Sequence, residues 1–404
     1  MRANLPATVA LLRNAFGSLR VVRHVTLDGM GPDARRAIAI AAASLAVASI
    51  AVVVAVRRST PAPVAPVVDA APFTPPVASP TPSPSVRPSP TPSPRPPATL
   101  YPLPAPAAPP TGCPPPPHPP IKVTPPWRPS VVVAESALPA ALPPLKRAPS
   151  LDAIRGKGMW TYEWARTEAG SAAAVVRRAR AAGLTQIWVR TGSSKSGFYA
   201  ADTLRELLPV AHRAGIAVVA WDFPYLYDPV ADAARAAQTL AFSAGGERID
   251  GFAPDIESGS EGTQGTARRL SVYLGLAQRA VGDRPLVSTV PHANDHWWRT
   301  YDYRTQVPYV DAFAVMSYWG CTEPGREVAQ SVARLAPLGK PLHLIGQAYD
   351  MGPYGGRVGS PHGREVWRFL DSSKRSRGVV GASFYVWQYA TRDQFRAVAA
   401  YPWA

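Results

Sequence analysis

From Lys157 to the C-terminus, short apolar runs alternate with stretches whose apolar residues recur at helical spacing. Eight runs are rich in β-branched and aromatic residues and read as strands: residues 158–164, 186–191, 217–223, 251–257, 286–291, 312–318, 342–348 and 381–388. The stretches between them read as amphipathic helices. Leu204, Leu207, Leu208 and Ala211 follow i, i+3, i+4, i+7, with Thr203 and Glu206 in capping-box spacing and Gly215 as the stop. Asp228-Pro229 reads as a cap followed by proline at the first helical position. Leu270, Tyr273, Leu274 and Ala277 repeat the stripe before Gly282, and Thr391 and Gln394 open the last helix in capping-box spacing. Residues 292–307, with Trp297, Trp298, Tyr301 and Tyr303, are poorly helical and predict a long loop. Eight strand–helix units in about 250 residues match an α/β fold of the (β/α)8 TIM-barrel type. An open doubly wound sheet is the alternative, but no glycine-rich dinucleotide loop follows the first strand.

Two other patterns precede this domain. Residues 37–56, AIAIAAASLAVASIAVVVAV, form twenty positions without a charge. At about 1.5 Å rise per residue they match the roughly 30 Å of a bilayer core. Arg2, Arg13, Arg20, Arg23, Arg35 and Arg36 lie before the run, and Arg57 and Arg58 close it. That charge step predicts a cytoplasmic segment 1–36, a single-pass anchor in the cell membrane at 37–56 and an extracellular C-terminal domain. A cleaved signal peptide is the alternative, usually with a shorter charged region and a shorter apolar core. Next comes proline. The chain of 404 residues has 48, about two-thirds of them between residues 60 and 150. Residues 57–150 therefore predict a disordered stalk with much polyproline II, leaving 151–404 for the barrel. A spacer without a role in length is the plain alternative, and a docking ligand for proline-recognising modules, which needs an exported partner, is a weaker one.

Net charge is +16, but residues 1–150 carry 14 Lys/Arg against 4 Asp/Glu, whereas 151–404 carry 29 against 23. The basic excess belongs mostly to the tail, and no basic cluster with aromatic or glycine-rich motifs marks a nucleic-acid partner. The two cysteines, Cys113 and Cys321, allow an intramolecular bond, a bond between chains, or two free thiols. His292 and His296, four apart around Asp295, are a weak metal signal and read more simply as polar loop residues. No metal and no cofactor is expected.

The chemistry concentrates in Ile249-Asp-Gly-Phe-Ala-Pro-Asp-Ile-Glu257. Asp255 and Glu257 are two residues apart, and side chains at i and i+2 of a strand share a face. Two carboxylates held together cannot both ionise cheaply, which leaves one proton donor and one anion for glycosidic cleavage. Helix capping or pairing with surface arginines is the plainer use of the same residues. Barrel enzymes work at the C-terminal strand ends. Those ends offer Trp164, Arg190, Trp221, Asp222, His292, Trp319, Gln347, Tyr349 and Trp387 as substrate-binding candidates beside Tyr318. Tryptophan and tyrosine faces suit sugar rings, although each aromatic taken singly is more often core.

The stretch 249–257 resembles the fourth-strand motif of the family-18 chitinase-like glycosidases, Asp-Gly-hydrophobic-Asp-x-Asp-x-Glu, through Asp250, Gly251, Phe252, Asp255 and Glu257. Ala253 stands where that family has its first inner acid. Met316-Ser-Tyr318 resembles its sixth-strand Met-x-Tyr-Asp, with Trp319 in place of the acid, and Trp387 falls at its eighth-strand tryptophan. A weaker resemblance to the family-25 lysozymes rests on Asp-x-Glu and on Trp387-Gln-Tyr389, without their first-strand aspartate. The family-18 resemblance implies Glu257 as general acid. It implies that Asp255 orients a substrate N-acetyl group acting as internal nucleophile, and that Tyr318 hydrogen-bonds it. Gln347 at the seventh strand end fits the lack of a second nucleophilic carboxylate. The expected partner is a polysaccharide or peptidoglycan-type glycan. Two functions follow: a membrane-anchored glycoside hydrolase acting on N-acetylhexosamine-containing polysaccharide, or a non-catalytic glycan-binding and wall-scaffolding barrel.

Overall fold

The computed structural model describes residues 127–354 and 356–403. The predicted anchor at 37–56 and most of the predicted stalk lie outside them. Among the described residues no helix is long and apolar enough to cross a membrane.

Nine strands form one sheet: β1 Gly156–Thr161, β2 Gln186–Ser193, β3 Gly197–Phe198, β4 Ala217–Phe223, β5 Gly251–Pro254, β6 Val287–Val290, β7 Ala312–Met316, β8 Leu342–Gln347 and β9 Val379–Tyr385. Eight of them are parallel, in the order β5-β4-β2-β1-β9-β8-β7-β6. Parallel bridges Phe252–Leu286 and Asp255–Thr289 join the two ends, so the sheet closes into a barrel. The two-residue β3 folds back on β2 and is an addition to the eight expected strands. Eight helices are described: α1 Ala172–Ala181, α2 Ala201–Arg213, α3 Pro229–Ala241, α4 Ala267–Ala280, α5 Asp295–Thr300, α6 Pro324–Leu335, α7 Gly363–Arg375 and α8 Arg392–Ala400.

Strand periodicity sorts the core into two layers. On β4, Val218 and Ala220 pack against the helices, whereas Val219 and Trp221 face the barrel interior. Trp160 and Trp188 stack in that interior at 4.5 Å and 14°. Gly158 makes room for them, since a Cβ there would come within 2.9 Å of the Trp188 ring nitrogen. Below, Ser383 accepts from Trp160 Nε1 at 2.8 Å and lies 2.8 Å from His343 Nε2, and the other ring nitrogen of His343 reaches the Ile154 carbonyl. A fully buried polar cluster of this kind is tolerated because its members satisfy one another.

Local signals set most helix ends. Asp228 accepts from the Val230 and Ala231 amides, and Thr391 and Gln394 form the expected reciprocal box. Gly215, at φ 68°, follows α2. Two expectations need correction. The Thr203–Glu206 box is not the start of α2, which begins at Ala201 without a side-chain cap. Residues 292–307 are not a plain loop either: Asn294 accepts from Trp297 N and starts α5, and a 3-10 turn follows at Arg304–Gln306.

The expected stalk also extends too far. Residues 127–150 lie against the barrel. Val133 N donates to the Tyr227 carbonyl, Leu138 is buried, and Arg147 pairs with Asp311 at 3.1 Å while donating to the Gln278 carbonyl. The strap passes close over α4 at Gly275, where a Cβ would meet the Leu142 carbonyl at 3.0 Å. Cys321 is disulfide-bonded. The only other cysteine of the sequence, Cys113, lies outside the described residues.

Candidate functional site

The C-terminal ends of the strands open into a cavity of about 550 Å³ whose walls include Arg190, Trp221, Asp255, Glu257, Tyr318 and Tyr349. Six of the residues singled out from the sequence thus share one cleft. Alternation brings most of them there. On β2, Trp188 faces inward and Arg190 follows two residues later; on β4, Val219 and Trp221 do the same; at the end of β7, Met316 and, just beyond it, Tyr318 do so. Strand β5 stops at Pro254, which has no amide to donate. Asp255 nevertheless stays in register, because its N–H donates to the Asp222 carbonyl at 2.8 Å.

Both acids are held toward their protonated forms. Asp255 is buried, and one of its oxygens has no partner. Burial pushes its carboxyl up to about 7; the Arg190 charge opposes the rise, while Asp222 and Glu261 add to it. Glu257 is pushed well above the usual carboxylate range, first by desolvation and then by the charges of Asp255 and Glu261. The pair therefore titrates as a unit in which a proton is retained near neutrality. Around it, burial raises the phenols of Tyr318, Tyr349 and Tyr385, so all three remain hydroxyl donors. Their rings meet edge-on or tilted, Tyr318–Tyr349 at 5.8 Å and Tyr349–Tyr385 at 5.9 Å. Glu257 also borders a second cavity of about 500 Å³, whose wall includes Trp297 and Tyr301. Tyr301 holds that wall by donating to the Ile256 carbonyl at 2.7 Å.

The other six do not line the main cavity. Asp222 follows inward-facing Trp221, so it points outward, and Arg235 of α3 takes its carboxylate at 2.8 Å. Trp319 follows inward-facing Tyr318 and packs on Phe369 at 5.4 Å. Gln347 is buried and accepts from Gly320 N at 2.9 Å, which supports the loop that carries Tyr318. His292 has its Nε2 3.0 Å from a Glu327 carboxylate oxygen, out of line for a hydrogen bond, and burial lowers its imidazole to about 4. Trp164 sits in a 3-10 turn against the outer core. Trp387 lies in another such turn, where it packs on Phe395 and donates to Glu168 at 3.0 Å. Asp222 obeys the alternation of β4 and Gln347 is the last residue of β8, whereas Trp164, His292, Trp319 and Trp387 lie beyond the ends of their strands.

Sequence reading missed Tyr162, Tyr225, Glu261, Tyr354, Tyr385 and Gln388 on the cavity wall. Tyr162 and Tyr385 had a signal: each is two residues beyond an inward-facing residue, Trp160 and Ser383. Tyr225 comes from a loop and Glu261, Tyr354 and Gln388 from single 3-10 turns, too short for a period to show. Among the described residues no cluster of His, Cys, Asp or Glu could hold a metal ion.

No family model matches the chain, and no curated protein matches it. Solved structures overlap with it at low identity. An endo-1,4-beta-mannanase from Rhizomucor miehei is 8% identical with a TM-score of 0.47, covering 64% of this chain and 97% of its own. A GH18 chitinase from Flavobacterium johnsoniae is 8% identical with a TM-score of 0.44, covering 61% of this chain and 93% of its own. An endo-beta-N-acetylglucosaminidase from Cordyceps militaris is 13% identical with a TM-score of 0.41, covering 61% and 90%. Overlaps this loose decide neither family nor chemistry.

Proposed function

We propose that the chain is a membrane-anchored, surface-exposed glycoside hydrolase acting on N-acetylhexosamine-containing cell-wall or extracellular polysaccharide. One observation carries the reading: two acids share an aromatic cleft, where burial and mutual repulsion keep a proton on the pair. Glu257 gives its proton to the glycosidic oxygen as the leaving sugar departs. The carbonyl oxygen of the substrate's own N-acetyl group attacks the anomeric carbon, with Asp255 and the Tyr318 hydroxyl orienting that group. Glu257, now a carboxylate, takes a proton from the water that opens the cyclic intermediate. The aromatic walls supply stacking faces for the sugar rings. Anchoring through residues 37–56 is part of the proposal and is supported by the arginine step around them.

A non-catalytic glycan-binding barrel is the second reading. It is favoured by Ala253, which faces the barrel interior where the resembled family has an acid, and by the outward turn of Trp319. The two are separated by Glu257→Gln, which is nearly isosteric. For a hydrolase, turnover of aryl N-acetylhexosaminides and wall fragments should fall about 10²–10⁴-fold, while glycan binding, read from tryptophan fluorescence, persists. Binding without turnover in the wild type would establish the binder. Turnover that survives the substitution would remove Glu257 as the acid.

A further inference from the structure

Among the described residues, the arginines that enter the interior are paired, and half-buried Arg190 differs from them. Arg235 meets Asp222 and Asp232, Arg269 donates to the carbonyls of Leu226 and Tyr227, and Arg147 meets Asp311. Arg190 forms no ion pair among the described residues. Its Nε is buried without an acceptor. Its guanidinium lies over two rings instead, 4.4 Å from the Tyr162 centroid and 5.2 Å from that of Trp221. Ring faces compensate a half-buried cation only in part, and a buried donor without an acceptor on a cavity wall calls for a reason. The ladder between β2 and β4 slips between Arg190 and Gly192, an irregularity of the kind that re-aims a side chain beside a site.

The surroundings suit an anion. Tyr162, Tyr225 and Tyr385 share the cavity wall with Arg190, and each offers a hydroxyl donor. The Arg190 charge acts on Asp255 and on Asp222, the latter already paired with Arg235; Asp255 and Glu257, which retain a proton between them, share the wall with Arg190 and Glu261. A planar fork of donors is the group that recognises carboxylate, sulfate and phosphate in two-point fashion. We propose that Arg190 selects a glycan with an anionic substituent on the sugar bound in the cleft, or on its neighbour. This rests on the glycan reading above and narrows it from sugars in general to acidic ones.

The test is binding to the full-length chain, read by tryptophan fluorescence, with three size-matched oligosaccharides: a neutral N-acetylhexosamine oligomer, one bearing uronic acid and one bearing sulfate. The wild type should bind at least one anionic oligomer about ten-fold or more tighter than the neutral one, with the preference falling as salt rises. Arg190→Met should bring the anionic-to-neutral affinity ratio close to one, and Arg190→Lys should leave an intermediate ratio. A residue that only supports the fold would lower all affinities in parallel and leave the ratio intact. Which anionic arm responds identifies carboxylate or sulfate as the ligand chemistry. A wild-type ratio near one, or a ratio unchanged by Arg190→Met, overturns the inference while the glycan reading stands. Absence of binding to all three overturns both. If Arg190→Met does not fold, the wild-type ratio with its salt dependence and the Arg190→Lys ratio decide.

Discussion

Arg235→Met is the sharpest probe of how the acid-bearing strand is held. Arg235 is 8% exposed, Asp222 0% and Asp232 2%. Its guanidinium donates to Asp222 at 2.8 Å and to Asp232 at 2.6 Å. Without it, Asp232 keeps the Ser194 hydroxyl at 2.6 Å and the Leu226 amide at 2.9 Å. Asp222 keeps nothing, since its other oxygen already has no partner. The buried carboxylate should therefore take up a proton, and the price of that proton caps the damage. At about 1.4 kcal/mol per pH unit above a free value near 3.9, neutralisation costs about 4 kcal/mol at pH 7 and about 1.5 kcal/mol at pH 5. The first figure agrees with the roughly 3–5 kcal/mol typical of a buried pair broken on one side.

The sign follows from linkage. Burial already holds Asp222 above the usual carboxylate range, and Arg235 pulls it back. A carboxyl raised in the fold binds a proton that the unfolded chain has released, so stability falls as pH climbs from the unfolded value to the folded one. Removing Arg235 extends that window upward, and the deficit should grow with pH. The assay is urea unfolding followed by tryptophan fluorescence at pH 5 and pH 7. Asp222→Asn in the Arg235→Met background should recover most of the pH 7 loss. A deficit below about 1 kcal/mol at pH 7, or one that increases towards pH 5, would refute the reasoning. Because the Asp222 carbonyl also accepts from Asp255 N–H, the same variant should loosen the candidate acid pair.

Three other outcomes are expected. If Asp255 must be ionised and Glu257 protonated, kcat/KM should rise as pH increases through about 7 and fall at higher pH, where Glu257 loses its proton; Glu257→Gln should remove the alkaline limb from any residual rate, and a flat profile would count against the pair. A chain that begins at residue 151 instead of 127 loses the burial of Leu138 and the Arg147–Asp311 pair, and should be less stable by about 3 kcal/mol in the urea assay; equal midpoints would show the strap to be energetically idle. Trp221→Ala should weaken the fluorescence response to glycans, whereas Trp387→Ala, in the outer core against Phe395, should cost about 3–5 kcal/mol of stability; the opposite pattern would put Trp387 back in the cleft.

The hydrophobic period of the chain carried the barrel. Strands 217–223, 312–316 and 342–347 stand close to where alternation of β-branched and aromatic residues put them, because a strand packed on both faces can be read from its own side chains. The acid pair was legible for the same reason: Asp255 and Glu257 continue the inward parity of Ala253. Parity stops being informative where a strand stops. Trp319 and Trp387 lie beyond such ends with the residue types of a sugar site, yet both pack on outer-core rings, while Asp222, inside its strand, turns outward by the same parity and meets Arg235. Only the tertiary fold shows that Arg190 lies over two rings without an ion pair among the described residues, or that residues 127–150 leave a proline-rich run to bury Leu138 and pair Arg147 with Asp311. Periodicity encodes which face a side chain takes within its own element. What stands opposite that face is set by segments more than a hundred residues away, as when Arg147 meets Asp311, and no local pattern carries that information.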